Sequence, residues 1–154
     1  MTNRDQTCPA AIKGAEPIRT LVADDSAQWL TTLCAFLARE AAIAVVGAAR
    51  DGLEALGHAA ALRPELVVLD VRMPRMNGLE AAALIRARHP EVRIVMMSTD
   101  TDAGTREACF AHGAHAFVPK GETARALLPA IFRLFGGGDT SAPVVPGTAQ
   151  FQSA

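Results

Sequence analysis

Cysteine is scarce and poorly placed for structural work: Cys8, Cys34 and Cys109 are odd in number, widely separated and without Cys-x-x-Cys spacing. That excludes a disulfide framework and a thiolate zinc site, and it suits a reducing cytoplasm. Neither sign of charge dominates, since 15 basic residues face 16 acidic ones. The chain therefore offers no electrostatic footprint for nucleic acid or an anionic membrane, and direct binding to either is not expected. No apolar run approaches the ~18 residues of a membrane span, and the N-terminus has no signal-peptide core. His58, His89, His112 and His115 show no ligand spacing within a predicted helix. These absences point to a soluble, cytoplasmic protein.

What is present is apolar bulk. Half of the 154 residues are hydrophobic, enough for the core of one domain but not two. Residues 1–17 read as a flexible leader, 18–135 as the domain, and 136–154, rich in Gly, Pro, Ser and Thr, as a flexible tail with no output domain in it.

Within 18–135, short apolar runs alternate with amphipathic stretches. The runs are 18–23, 43–48, 66–69, 92–97 and 114–118. Between the first two, Leu30, Leu33, Cys34 and Leu37 recur at the spacing of one helical face, behind a possible cap at Ser26 or Asp25. A second helix carries Leu53, Leu56 and Leu62 and closes at Arg63-Pro64. Asn77 and Glu80 resemble a capping box for a third, through Ala81, Leu84 and Ile85. A fourth runs from about Asp102 to His112, with Gly113 as its terminator. The fifth aligns Ala124, Leu127, Leu128 and Ile131 but contains Pro129, which predicts a kink because a mid-helix proline costs roughly 3 kcal/mol. Five strands alternating with five helices predict a parallel α/β sheet covered on both faces.

In such a sheet ligands gather at the carboxyl ends of the strands. Four runs end in chemically useful residues: Asp24-Asp25, Asp70, Ser98 and Lys120. Three carboxylates on one rim repel one another unless a cation sits among them, and hard oxygen donors suit Mg²⁺. A carboxylate can also act as nucleophile toward phosphorus, helped by positive charge around the equatorial oxygens. Asp70 is the natural nucleophile, with Lys120 and Ser98 as further contacts. Trp29 follows the acid pair closely enough for its fluorescence to report on the rim.

The acid pair, the LDVRMPRMNG segment around Asp70, Ser98 and Lys120 together resemble a receiver domain of two-component response regulators, over about 18–135. That resemblance implies a flavodoxin-like, doubly wound five-stranded parallel sheet in strand order 2-1-3-4-5. It also implies Mg²⁺ bound by Asp24, Asp25, Asp70 and the backbone carbonyl of Arg72, and phosphorylation of Asp70 by a histidine kinase or phosphotransfer protein. Ser98 and Phe117 would form the switch, signalling to a downstream protein through the face made by the fourth helix, fifth strand and fifth helix. Arg72 and Asp100 would pair across the site and set the phosphoryl lifetime. The protein would be a monomer or a phosphorylation-dependent dimer.

Two features depart from the family. Phe117 lacks the hydroxyl of a tyrosine, and proline precedes Lys120 where many members have it after. A non-proline cis bond costs about 2.5 to 4 kcal/mol, so Lys120-Gly121 is expected to be trans. A stand-alone signalling switch is the leading expectation; the receiver half of a longer regulator is the second. A phosphohydrolase with an aspartate nucleophile is third, disfavoured because Arg72 stands where such enzymes commonly place a second acid.

Overall fold

Strands and helices alternate throughout residues 16–136, the part of the chain that the computed structural model describes. The order is β1 (Ile18–Ala23), α1 (Ala27–Ala38), β2 (Ile43–Ala49), α2 (Gly52–Leu62), β3 (Leu66–Asp70), α3 (Gly78–Arg88), β4 (Arg93–Ser98), α4 (Ala103–Ala111), β5 (Ala116–Pro119) and α5 (Leu128–Phe135). The five strands form one sheet in the order β2-β1-β3-β4-β5, and every pairing is parallel. The sequence-based fold class and strand order are both found. The predicted leader and tail lie almost wholly outside the described residues.

Both faces of the sheet are covered, which is why the central strands read as unbroken apolar runs. Val22, Val68, Val95 and Val118 point into one core with Leu30, Leu33 and Leu37 of α1 and Ile131 and Leu134 of α5. Leu21, Val67, Leu69, Ile94, Met96 and Phe117 point into the other, with Ala55 and Ala59 of α2, Ala81, Ala82 and Ile85 of α3, and Cys109 of α4.

Four helices start on side-chain caps: Ser26, Asp51, Asn77 and Asp102 each accept a backbone N–H from the first turn. Asn77 and Glu80 form the reciprocal box expected of them. Gly113 takes φ +112 just past the end of α4, a conformation that favours glycine.

Three local expectations need correction. In α2 the buried face is Gly52, Ala55 and Ala59, while Leu53 is 48% exposed and Leu56 is only partly buried, so this helix turns small residues inward. A β-carbon at Gly52 would collide with the carbonyl of Met76, which shows how closely the loop after β3 approaches. Around Pro129 there is no proline-interrupted α-helix. A 3₁₀ turn (Lys120–Glu122) and a π-helical turn (Thr123–Leu127) come first, and Pro129 falls in the first turn of α5. There its missing N–H is no loss, and the wider turn before it relieves the clash of its ring. Ala124 is exposed and lies outside the buried stripe of that segment.

Among the described residues no helix is long and apolar enough to cross a membrane. Cys34 and Cys109 are free thiols; Cys8 lies outside the described residues.

Candidate functional site

The strand order reverses direction between β1 and β3, and the candidate site straddles that switch point. Asp24 ends the run of β1 and is buried, held by its N–H donating to the Ala49 carbonyl at 3.0 Å. Its Oδ1 accepts the Ser26 N–H at 2.8 Å, which ties the carboxylate to the residue that caps α1. Asp25 beside it is exposed. On the neighbouring strand, Asp70 is 7% exposed and points into the same space. Oxygens of Asp24, Asp25 and Asp70 lie within 4.8 Å of one another.

Lys120 reaches this cluster from the end of β5. Its Nζ is 2.7 Å from Asp24 Oδ2 and 3.2 Å from Asp70 Oδ1. The Lys120-Gly121 peptide is trans, as expected, and the ammonium still reaches both acids. Burial alone would lower the Lys120 pKa, but hydrogen bonds and charge from Asp24 and Asp70 outweigh it and raise it, so the side chain stays cationic.

Asp70 is pushed the other way. Burial, then the charge of Asp24, then that of Asp25 raise its pKa to about 6 against the pull of Lys120. Three hard oxygen donors, partly desolvated and mutually repelling, fit a divalent cation such as Mg²⁺.

A β-carbon at Gly78 would collide with the Asp70 carbonyl, so only glycine lets the start of α3 lie against the end of β3. Gly78 also donates its N–H to the Val71 carbonyl at 2.8 Å.

Ser98 is buried at the end of β4, where its hydroxyl accepts the Asp100 N–H at 2.9 Å. Phe117 is fully buried, facing α3 and α4, and the Arg106 guanidinium carbon stands 5.7 Å from the centroid of its ring. Arg72 and Asp100 meet at 3.5 Å, with the arginine side chain largely exposed.

Three further contacts were not anticipated. Arg75 donates through Nε at 3.0 Å and Nη2 at 2.6 Å to Asp51 Oδ2, clamping the loop after β3 to the start of α2. Arg50 donates to the backbone carbonyl of Asp25 at 3.3 and 3.2 Å, fixing the loop that presents that acid. The Lys120 Nζ lies 5.2 Å from the centroid of the Trp29 ring. Asp51 could have been found by the rule that picked out Asp24 and Asp70, since it too lies at the carboxyl end of a strand, two residues after Ala49.

The profile of the response regulator receiver domain matches residues 20–132. The chain belongs to this family. The receiver is 46% identical over 105 residues to a protein-glutamate methylesterase/protein-glutamine glutaminase of Geobacillus kaustophilus, a match covering 67% of this chain and 30% of that protein. It is 42% identical over 105 residues to the protein of the same name in Pyrococcus abyssi, covering 67% and 28% respectively. The match thus spans under a third of the length of these relatives. Among solved structures, the response regulator domain of Thermotoga maritima CheB superimposes with a TM-score of 0.73 at 33% identity, over 80% of this chain and 99% of that one. The signal receiver domain of a putative NarL from Mycobacterium tuberculosis gives 0.75 at 28% identity, over 80% and 100%. The receiver is a signalling module of two-component systems.

Proposed function

We propose that this receiver is a phosphorylation-dependent switch that takes a phosphoryl group on Asp70 from a histidine kinase or phosphotransfer protein. The supporting observation is the meeting of one ammonium and three carboxylates at the switch point, with Lys120 bridging Asp24 and Asp70. Asp24, Asp25 and Asp70, with the Arg72 carbonyl, would hold Mg²⁺, which when bound neutralises charge on the phosphoryl oxygens. Asp70 attacks phosphorus through one carboxylate oxygen; the new O–P bond forms as the bond to the donor breaks, and the donor leaves with the electron pair. Since its pKa is near 6, Asp70 is mostly ionised at neutral pH, as a nucleophile must be. Lys120 already lies beside it as a second positive contact.

Ser98 would then exchange the Asp100 N–H for a phosphoryl oxygen, altering the packing against Phe117 and the face made by α4, β5 and α5, where a downstream protein docks. Arg72 and Asp100, which meet at 3.5 Å, would obstruct hydrolytic water. An Arg72→Ala variant should lose the phosphoryl group faster, and an unchanged rate would remove that role.

The primary test is incubation with Mg²⁺ and acetyl phosphate followed by mass measurement. The expected product is a base-labile, hydroxylamine-cleaved adduct of about 80 Da. It should be absent from Asp70→Asn; an adduct that persists in that variant, or none in the parent, refutes the assignment.

A second reading is favoured by the lengths of the relatives: that this receiver governs an output domain of the methylesterase type. A reading frame continuing past Ala154 into such a domain would support it, and a stop codon there would favour the stand-alone switch.

A further inference from the structure

We propose that Trp29 is a positioning residue for Lys120, its indole face setting the direction from which the ammonium meets a phosphoryl group on Asp70. The proposal rests on the reading of Asp70 as phosphoryl acceptor.

The Lys120 Nζ has three close neighbours: Asp24 at 2.7 Å, Asp70 at 3.2 Å and the Trp29 ring, 5.2 Å away at its centroid. That last distance is within the range of a cation–π contact. Lys120 opens a 3₁₀ turn and its side chain is only 14% exposed, so its course is set by the groups packed around it. The face of Trp29 is one of those surfaces.

The turn of helix that carries this surface is tied to Asp24. Trp29 donates its backbone N–H to the Ser26 hydroxyl at 3.2 Å, and Ser26 donates its own N–H to Asp24 at 2.8 Å. The ring packs against the core that α1 and α5 share. Carboxylate, cap and helix backbone are thus linked through two hydrogen bonds, with the indole seated on the core beside them.

The choice of tryptophan is not explained by hydrogen bonding. Its Nε1–H is buried with no hydrogen-bond partner, a burden that phenylalanine or leucine would avoid while still filling the space. What remains is the large, electron-rich face, the strongest cation–π partner among the side chains. Such a face steers an ammonium without neutralising it. When a phosphoryl group arrives, Lys120 must turn from the carboxylates to an equatorial oxygen, and a carboxylate in place of the ring would hold it back.

The composition makes the test selective, because the chain has one tryptophan and only two lysines, Lys13 and Lys120. Replacing Trp29 biosynthetically with mono-, di- and trifluorotryptophan weakens the π face stepwise while keeping the ring shape. With acetyl phosphate and Mg²⁺, the rate of Asp70 phosphorylation should fall in the same steps, to about one fifth to one tenth at trifluorination. Trp29→Leu should show at least that loss, and Trp29→Phe, with its weaker π face, should recover only part of it. In a lysine-selective NMR spectrum the ε-methylene of Lys120 should carry an upfield ring-current shift, absent in Trp29→Leu. A rate that stays flat across the fluorinated series, in protein that is phosphorylated on Asp70, overturns the positioning role alone. A parent that takes no phosphoryl group fails the Asp70 reading and carries the proposal down with it, whatever the ε-methylene shift shows.

Discussion

Lys120 lies closer to Asp24, at 2.7 Å, than to Asp70, at 3.2 Å. The cation that would serve the phosphoryl acceptor is thus also the counterion of the more deeply buried acid. Lys120→Met should leave Asp24 buried without it. Breaking a fully buried pair costs 3–5 kcal/mol, and with some solvent reaching the ammonium the expected loss is about 2–3 kcal/mol in urea unfolding at pH 7. Added Mg²⁺ should restore part of that loss, because a divalent cation can take over the role of counterion. Unchanged stability would mean that water already screens Asp24.

Asp70 gives a pH dependence of known sign. Its folded-state pKa rises from 3.8 to about 6 through burial and the neighbouring acids, so between those values the folded chain holds the proton more tightly than the unfolded one. The stability that this contributes is complete below about 3.8 and is lost as pH rises through about 6. In chelator, Asp70→Asn should have a higher Tm than the parent at pH 7, and the gap should close toward pH 4. Saturating Mg²⁺ should shrink the gap at pH 7.

His115 acts with the opposite sign. The Ile94 N–H donates to its Nδ1 at 3.0 Å, and Arg86 Nη1 lies 2.9 Å from its Nε2, so both ring nitrogens face donors. Burial, then the charges of Arg86 and Arg93, lower its pKa from 6.5 to about 4. The unfolded chain takes up this proton first, so stability present above pH 6.5 is lost as pH falls toward 4. His115→Asn should flatten the acid side of the Tm profile over that window. The two residues oppose each other between pH 4 and 6, so the slopes separate only in the variants.

Arg75 adopts φ +66, left-handed backbone that disfavours any side chain with a β-carbon, while its guanidinium holds Asp51. Arg75→Gly loses the ion pair but relieves the backbone, whereas Arg75→Ala loses the pair and keeps the strain. The expected order of Tm is glycine above alanine, and the reverse would show that the local backbone is not strained.

Much of the site was legible because its residues combine two independent signals. Asp24, Asp70, Ser98 and Lys120 each follow an apolar run, and each has a side chain suited to phosphoryl chemistry. Arg72 and Asp100 were expected to pair, and their side chains meet at 3.5 Å. Contacts set by close backbone approach were not legible. Leu53, Leu56 and Leu62 suggested the buried face of α2, yet the buried residues are Ala55, Ala59 and Gly52, the last pressed against Met76. Arg75 occupies a left-handed position that turn chemistry assigns to glycine or asparagine, so no local rule pointed to its pairing with Asp51. The π turn ahead of Pro129 leaves no mark in hydrophobic spacing, which is why the proline read as a kink.

The clamp between Arg75 and Asp51 leaves the rim of the sheet with two walls that are tied in different ways. On the α2 side, that ion pair, the Gly52 N–H to Met76 carbonyl bond of 2.9 Å and the seat of Gly78 against Asp70 fasten one loop to a neighbouring helix and strand. On the α4 side, Ser98, Asp100 and Asp102 are joined by contacts of 2.9 and 3.3 Å, and the largely exposed Arg72 reaches Asp100 at 3.5 Å. A phosphoryl group on Asp70 would thus stand between a loop seated on backbone and a loop held by side chains, and of the two the second has more room to rearrange.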